Sequence, residues 1–368
     1  STTPPEGRSR RAPSPARRSP AGRREAAQVI VEIGPRPYVA RAYPAESFFF
    51  ATDAAHAPAE GVRAIPSLPA LWRALERADL VVCHPNFAAP WSARHLGRTL
   101  LSRRLIEGRA PIARALGPEL LRRRVRARLA VIDHEDLPVI NRGNLFLLDR
   151  CDLYFKRELP PDRWRVFLKT AHANLPTPRF RLKPRHARWV EKLRPISLGL
   201  PADARPGLPP PPEEKRADVF FAGRVEGSST LRARGLAELR ALADRGVAVD
   251  IPEAPLPPEA FYRRCAAAWL VWSPEGLGWD CFRHYEAPLC GAAPLINLPT
   301  IERHRPLVHG EHALYYDPEP GGLANAVRRA LADKPALARM AEAAKAHVLA
   351  HHTPESLARY VVEETLGR

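Results

Sequence analysis

The chain has few cysteines for its length, and it lacks the signatures of secreted, membrane-spanning and zinc-binding proteins. Its five cysteines are scattered over 368 residues. None forms a C-x-x-C pair, so neither a zinc site nor a disulfide framework is predicted. There is no run of about 18 apolar residues and no signal-peptide core, so we expect neither a membrane span nor a secretion leader. A reducing cytoplasm is the expected location.

Two signatures of nucleotide and metal binding are also missing. No G-x-G-x-x-G motif follows the first predicted strand, so we expect no dinucleotide cofactor. No D-x-D motif lies in a suitable place, since Asp244, Asp250 and Asp280 stand alone. We therefore expect no catalytic metal and no other cofactor. The basic stretches are not interleaved with aromatic residues, which counts against a stacking platform for nucleic acid.

Positive charge is in excess, with a formal net charge of +17. Such a charge favours anionic partners, namely nucleotides, acidic lipid or nucleic acid. The same richness in arginine, alanine and proline is also typical of proteins from GC-rich genomes. Residues 1–26 are dominated by proline, serine and arginine. They contain too little apolar surface to fold, so a disordered basic tail is predicted.

Strand and helix patterns alternate along the rest of the chain, which predicts α/β domains with parallel sheets. The first domain is predicted over residues 27–200 and the second over residues 217–352. Residues 201–216 are rich in proline and are predicted to form an extended linker. Residues 353–368 begin with a Thr-Pro pair, an N-cap followed by a first-turn proline, and are predicted to form a final helix.

The most informative stretch covers residues 273–296, between two apolar segments predicted as strands. Gly276 and Gly278 permit a tight loop and the close approach of a ligand. Arg283 and Glu286 are three residues apart, so they share one face of the predicted helix. The arginine and the helix N-terminus suit phosphate oxygens. The carboxylate can accept hydrogen bonds from ribose hydroxyls.

This stretch resembles the donor-site motif of GT-B glycosyltransferases. It is similar to the bacterial group 1, or family 4, type and more distantly to the exostosin C-terminal domain. The matching positions are Gly276, Gly278, Asp280, Arg283, Glu286, Ala287, Gly291 and Pro294. The resemblance implies that Glu286 binds the nucleotide ribose. Many relatives have a second glutamate where this chain has Gly278, so that role is absent or belongs to Glu275 or Asp280.

The resemblance implies an α/β protein with two Rossmann-like domains facing across a cleft, and a last helix that crosses back to the first domain. The second domain would hold a nucleotide-sugar donor, such as a UDP-, GDP- or dTDP-sugar. The first would hold a glycan, a lipid-linked glycan or a small-molecule acceptor. The expected function is a metal-independent hexosyltransferase. The alternatives are a nucleic-acid-binding or DNA-modifying protein, and a non-catalytic scaffold with a decayed donor site.

Further candidates for donor binding lie at the start of the second domain. A predicted strand there ends in Gly223 and Arg224, and a predicted helix follows. This arrangement resembles the opening of a GT-B donor domain, in which a basic residue reaches the diphosphate. Arg224, Arg232 and Arg234 are the candidates, because a guanidinium can bind phosphate through two parallel hydrogen bonds.

Polar residues follow two predicted strands of the first domain. One strand ends in Asp133, followed by His134 and Glu135, and another opens into a loop at His84. Ligands of open α/β sheets bind at the carboxyl ends of strands. His134 or Asp133 is therefore predicted to take a proton from the acceptor hydroxyl, with His84 as the competing candidate and Glu135 as a further one. In retaining GT-B enzymes such a strand often ends in a His-Asp-like pair, which His134 matches loosely.

Two basic features of the first domain are candidates for binding anions. A predicted strand leaves Lys156 and Arg157 at its end, where they could bind the acceptor or a phosphate. Residues 99–128 combine many arginines with spaced leucines. This pattern predicts a basic amphipathic helix and a peripheral contact with an anionic membrane, with a solvated helix face as the alternative.

Overall fold

Two parallel β-sheets, each with helices packed on it, make up the computed structural model. The model describes residues 28–52, 59–85, 116–168, 170–172, 175–176, 182–202, 204 and 214–367. The predicted basic tail and most of the predicted linker lie outside the described residues. Within the described ranges, no helix is both long and apolar enough to cross a membrane.

The N-terminal sheet has seven strands in the order β3-β2-β1-β4-β5-β6-β9, all parallel. The order reverses its direction between β1 and β4, the position at which open α/β sheets bind ligands. The strands are β1 (Ile30–Gly34), β2 (Ser47–Ala51), β3 (Arg63–Ala64), β4 (Leu80–Cys83), β5 (Arg128–Asp133), β6 (Leu153–Lys156) and β9 (Leu193–Pro195). A separate antiparallel pair joins β7 (Thr170–His172) to β8 (Leu175–Pro176).

The C-terminal sheet has five parallel strands in the order β11-β10-β12-β13-β14. Its central strands are continuous apolar runs, as expected where helices cover both faces of a parallel sheet. The strands are β10 (Ala217–Phe220), β11 (Val249–Asp250), β12 (Ala268–Trp272), β13 (Ala293–Asn297) and β14 (Leu314–Tyr316).

Ten α-helices and three short 3-10 helices lie in the described part of the chain. Side-chain caps begin several of them, because a polar oxygen satisfies a free N–H group of the first turn; Ser229, for example, accepts from the backbone N–H of Leu231. The α-helices are α1 (Val39–Ala42), α2 (Leu68–Leu75), α3 (Leu145–Arg150), α4 (Arg185–Glu191), α5 (Thr230–Ala243), α6 (Pro258–Ala266), α7 (Arg283–Leu289), α8 (Gly322–Leu331), α9 (Lys334–His351) and α10 (Pro354–Leu366). The 3-10 helices are Pro118–Arg122, Arg142–Asn144 and Arg163–Phe167.

Helix α10 packs on the N-terminal sheet although it follows the C-terminal domain in the chain. Alternate residues of β1 face opposite sides of the sheet. Val31 and Ile33 pack in the layer that contains α2, whereas Ile30 packs in the layer that contains Leu357 and Val361 of α10. The last helix therefore completes the core of the first domain.

Only part of the basic amphipathic helix predicted over residues 99–128 lies in the described part of the chain. Residues 99–115 lie outside the described part of the chain. The remainder forms the 3-10 helix at Pro118–Arg122 and then an irregular segment that leads into β5 at Arg128. The prediction of a continuous α-helix is therefore wrong for residues 116–128.

Candidate functional site

A cavity of about 1180 Å³ lies between the two domains, at the carboxyl ends of the strands of the C-terminal sheet. The loops that follow β10, β11 and β12 form most of its wall, together with parts of α6 and α7. The N-terminal domain contributes Asp136, Arg157 and Leu198. Cavities of this size bury most of the surface of a small-molecule ligand.

Four arginines line this cavity, and two of them, Arg232 and Arg283, lie close to each other on its C-terminal wall. Arg232 donates to the carbonyl oxygens of Arg224 and Glu275, at 2.7 and 2.9 Å. Arg283 lies over the ring of Phe221, and its Nε is buried with no hydrogen-bond partner among the described residues. The pKa of Arg232 is lowered, chiefly by burial and then by the nearby charge of Arg283. Two cations held close together form a site for an anion with several oxygens.

Glycines make room for both guanidinium groups. A Cβ atom added to Gly276 would lie 2.9 Å from Nη2 of Arg232, and one added to Gly223 would lie 3.0 Å from Nη1 of Arg283. Any larger residue would push the charged groups away. Gly223 and Gly276, both predicted from the sequence as donor-site residues, therefore shape the space in which an anion could bind.

The three arginine candidates near the start of the second domain differ in position. Arg232 and Arg224 line the cavity, and Arg224 is exposed. Arg234 instead donates to the carbonyl oxygen of Pro318 at 2.9 Å and does not belong to the cavity wall. Ser228 also lines the cavity, one residue before the N-cap of the 14-residue helix α5. The partial positive charge at the N-terminus of α5 adds to the charge of the arginines.

A buried carboxylate, that of Glu286, lines the same cavity. Its Oε1 accepts a hydrogen bond of 3.0 Å from the hydroxyl of Tyr262, which comes from α6 and also lines the cavity. The sequence did not identify Tyr262. The helical period of the segment could have placed Tyr262 on the inner face of α6, but not beside Glu286.

The two substitutes considered for the second glutamate both have other partners. Glu275 accepts from Ser229 and Asn297, at 3.1 and 3.2 Å, and does not line the cavity. Asp280 is buried at the cavity wall, and its carboxylate accepts from the N–H of Leu198 at 2.6 Å and from the hydroxyl of Tyr285 at 2.7 Å. Burial raises the pKa of Asp280. Asp280 therefore lines the cavity with a carboxylate that already accepts two hydrogen bonds, whereas Glu275 lies outside the cavity wall.

A joint between the domains forms beside the cavity. Arg157 donates to the carbonyl oxygens of His134 and Asp280, at 2.8 and 3.0 Å, and to the carboxylate of Asp136. The next residue, Glu158, accepts from the backbone N–H groups of Trp279 and Asp280, at 2.9 and 3.0 Å. Both residues of the N-terminal domain thus hold the backbone of the loop after β12.

Gly278 serves this joint. A Cβ atom at Gly278 would lie 2.5 Å from Oε1 of Glu158 and 3.0 Å from the carbonyl oxygen of Asp136. Gly278 lines the cavity, as a ligand-binding glycine would, and it also allows the close approach of the neighbouring domain. Glu158, which the sequence did not identify, is the residue that requires this close approach.

The joint should be sensitive to pH. Burial raises the pKa of Glu158 to about 7, against the opposing effect of Arg157. A carboxyl group whose pKa is raised by folding contributes stability below its unfolded pKa, and this contribution is lost as the pH rises through 7. When the pH rises from 5.5 to 8, the unfolding free energy of the wild type should fall by about 2 kcal/mol more than that of Glu158→Gln. Urea unfolding of both proteins at both pH values measures this. An equal difference at the two pH values would contradict it.

Asp133 and Lys156, both proposed for the N-terminal face, form a buried ion pair with each other at 3.1 Å. The hydroxyl of Tyr154 donates to the other oxygen of Asp133 at 2.8 Å. Neither charged group lines the cavity. The two charges are therefore paired inside the fold, away from the cavity wall.

The two histidine candidates have different surroundings. His134 is half-buried, and its Nε2 is fully buried without a partner among the described residues. The pKa of His134 is lowered to about 3, chiefly by burial and then by the charge of the nearby His84. Nε2 of His84 lies 2.7 Å from Oε1 of Glu32, in β1. Glu135 is half-buried, and burial followed by the charge of Asp133 raises its pKa.

No group of three or more His, Cys, Asp or Glu side chains that could hold a metal ion occurs in the described part of the chain.

Comparisons with known proteins agree with this architecture. Residues 260–363 match the family model described as glycosyl transferase-like. A glycosyltransferase from Rickettsia africae ESF-5 is 8% identical with a TM-score of 0.53, and the match covers 93% of this chain and 99% of that chain. An alpha-glucosyltransferase solved with UDP and a 13-mer DNA containing a HMU base is 11% identical with a TM-score of 0.52, over 93% and 99%. Anabaena HepE, solved with UDP, is 14% identical with a TM-score of 0.49, over 93% and 100%. No curated protein sequence matches the chain.

The chain has the fold of GT-B glycosyltransferases, as the two structures with TM-scores above 0.5 show. The family match places the glycosyl transferase-like signature in the C-terminal half, over the helix that carries Arg283 and Glu286. The fold class predicted from the sequence is thereby confirmed, and the family match agrees with the predicted resemblance over residues 260–363.

Proposed function

We propose that the protein transfers a sugar from a nucleotide-diphosphate donor to an acceptor hydroxyl. The observation that carries this proposal is the joint presence of Arg232, Arg283 and Glu286 on the wall of one interdomain cavity. A diphosphate needs cations, and a ribose needs an acceptor of hydrogen bonds. Both kinds of group are supplied in one place, at the carboxyl ends of the strands.

The donor would lie along the C-terminal wall of the cavity. Glu286, oriented by Tyr262, would accept hydrogen bonds from the ribose hydroxyls. Arg232, Arg283 and the N-terminus of α5 would hold the diphosphate. The loop after β11 adds proline and leucine side chains to the same wall, which suit the apolar faces of a nucleobase. The alpha-glucosyltransferase of the same fold was solved with UDP, which supports a nucleotide donor.

The reaction places a negative charge on the departing nucleotide diphosphate. Guanidinium groups fixed beside that position stabilise the charge in the transition state without having to reorganise. We therefore propose a metal-independent transfer, in which the arginines supply the positive charge. The acceptor, a glycan, a lipid-linked glycan or a small molecule, would enter from the side of the N-terminal domain, where Asp136 and Arg157 line the cavity.

Glu286→Ala should weaken the binding of the nucleotide sugar by about 1.5–3 kcal/mol, because the ribose loses a charged acceptor. Isothermal titration with UDP-, GDP- and dTDP-sugars measures the effect and identifies the nucleobase. Tyr262→Phe is the matched variant, since it keeps the carboxylate and removes only the bond that orients it; we expect a loss of about 0.5–1.5 kcal/mol. Unchanged affinity in a folded Glu286→Ala protein would remove this residue from the site.

The same titration separates the alternatives. A non-catalytic scaffold with a decayed donor site would bind none of the nucleotide sugars. A nucleic-acid-binding protein would instead bind DNA with an affinity that falls steeply between low and physiological salt.

A further inference from the structure

Two of the five cysteines meet between helices α6 and α7, which also form part of the cavity wall. Cys265 lies in α6 and is fully buried, whereas Cys290 follows the last residue of α7 and is partly exposed. Both pack in the apolar layer between these helices and the C-terminal sheet. A side-chain hydrogen bond joins their thiols. One member of a contacting pair of free thiols can therefore be reached from solvent.

The thiol pair lies one helical turn beyond a contact of the proposed donor site. In α6, Cys265 follows Tyr262 by three residues. In α7, Cys290 follows Glu286 by four residues, and its backbone N–H donates to the carbonyl oxygen of Glu286 at 3.2 Å. Residues at these spacings share one face of a helix. The two helices therefore meet in two consecutive layers, the hydrogen bond between Tyr262 and Glu286 at the cavity wall and then the two thiols.

The ammonium group of Lys215 holds the ends of the two helices side by side. Its Nζ donates to the carbonyl oxygens of Ala268 and Gly291, at 2.8 and 2.7 Å. These two residues follow α6 and α7 closely in the chain. The charge of Lys215 also acts on both thiols. A neighbouring cation favours the thiolate, which is the form of cysteine that attacks a peroxide.

Two other cysteines provide a comparison within the same protein. Cys83 and Cys151 pack in one apolar cluster of the N-terminal domain, and both are buried. Burial raises the pKa of Cys83, and it raises that of Cys151 to about 12. Cysteines of this kind are inert towards oxidants. Burial, and then its hydrogen bond with Cys290, also raise the pKa of Cys265. Of the contacting pair, Cys290 is therefore the one that reacts first.

We propose that Cys265 and Cys290 form a reversible disulfide when the protein meets a hydroperoxide, and that this bond weakens donor binding. The thiolate of Cys290 attacks the peroxide, and the O–O bond breaks. The products are a sulfenic acid and an alcohol or water, which takes up the proton lost by the thiol. Cys265 then attacks the sulfenic sulfur. The S–S bond forms, the S–O bond breaks, and the oxygen leaves as water with the proton of Cys265. Both sulfur atoms are oxidised, and the peroxide is reduced.

The new bond changes the layer at the cavity wall. A disulfide brings its sulfur atoms to about 2.05 Å from each other, which is closer than the sulfur atoms of hydrogen-bonded thiols. Its formation draws the C-terminal ends of α6 and α7 together and tilts the two helices. Tyr262 and Glu286, one turn away, then leave the positions in which the carboxylate meets the ribose. This effect on donor binding rests on the proposed function.

Mass spectrometry tests the disulfide without reference to any activity. The reduced protein is treated with hydrogen peroxide, alkylated and digested. The peptides that contain Cys265 and Cys290 should be recovered joined, lighter by two hydrogen atoms than the reduced pair, and dithiothreitol should separate them. Cys83 and Cys151 should remain thiols. In Cys265→Ser, dimedone should label Cys290 as a sulfenic acid, because the thiol that would react with it has been removed.

Calorimetry with the nucleotide sugar that binds the reduced wild type tests the effect on the donor site. Peroxide should weaken donor binding by at least about fivefold, the lower end of the usual range for coupling between two sites, and dithiothreitol should restore it. Cys290→Ser is the control, because its treated and untreated forms should bind the donor equally. Cys281, which lines the cavity, is retained in this variant, so any effect of its oxidation appears in the control as well.

Each contrary result overturns a stated part. Recovery of Cys290 unlinked, or linked to another cysteine, overturns the disulfide, and absence of the dimedone label in Cys265→Ser overturns the order of attack. Complete disulfide formation with unchanged donor affinity, or an equal loss in Cys290→Ser, overturns the effect on the donor site. A reduced wild type that binds no nucleotide sugar contradicts the proposed function instead, and the mass of the joined peptides still decides whether the disulfide forms.

Discussion

Arg283→Ala should lower turnover by about 10²–10³-fold, the usual cost of removing one preorganised group that stabilises transition-state charge. Its guanidinium is half-buried at the cavity wall, and its Nη2 makes only a long hydrogen bond, of 3.5 Å, to the carbonyl oxygen of Pro274. It is therefore available to a diphosphate, and the charge on that diphosphate grows as the sugar departs. Steady-state release of the nucleotide diphosphate at saturating donor measures the effect.

Arg283→Lys separates charge from geometry. Lysine keeps the positive charge but loses the planar group that can bind two phosphate oxygens at once, so activity should stay well below that of the wild type. Arg234→Ala is the control, because Arg234 is bound to the carbonyl oxygen of Pro318 outside the cavity. Near wild-type turnover in the lysine variant would argue against a two-point contact between Arg283 and the diphosphate.

The fold and the core of the proposed donor site could be predicted because their signals are local. Apolar runs of strand length alternate with helical patterns, and the proline-rich stretch separates two such series. Gly276, Arg283 and Glu286 lie within eleven residues of one another. A loop followed by a helix keeps such residues close in space whatever the rest of the chain does.

The other residues of the site depend on contacts between distant parts of the chain. His84 and Glu32 are 52 residues apart, and Glu158 and Asp280 are 122 apart. No periodicity within one element indicates such a pairing. A glutamate within an apolar strand, as Glu32 is, was the available signal, because a buried carboxylate requires hydrogen-bond partners.

Lys156 shows a second kind of contact that the sequence does not reveal. A charged residue at the end of a strand was interpreted as a ligand-binding group, whereas it is fully buried against Asp133 of the adjacent strand. The register of β5 and β6 pairs these two residues directly. The sequence gives the two strands but not their register, so the ion pair could not be distinguished from two open charges.

Arg157→Ala should destabilise the protein by about 3–5 kcal/mol, because it removes one partner of a buried group of charges. Glu158, which the guanidinium approaches at 3.4 Å, would remain buried without it. The carbonyl oxygen of Asp280 would lose its donor from the N-terminal domain. Equilibrium unfolding in urea measures the change, and loss of the joint should also lower donor affinity, since Arg157 lines the cavity.

Arg194→Ala is the matched control for this result. Arg194 also joins the N-terminal domain to the C-terminal part of the chain, through a 2.9 Å ion pair with Glu364 of α10. The two side chains are 32% and 40% exposed, so water screens them, and the loss should be about 0–1 kcal/mol. Burial, rather than the number of ion pairs, is thus expected to decide the cost. Equal losses for the two variants would show that Arg157 contributes no more than a surface pair, and that the domains are held together by the core around α10 instead.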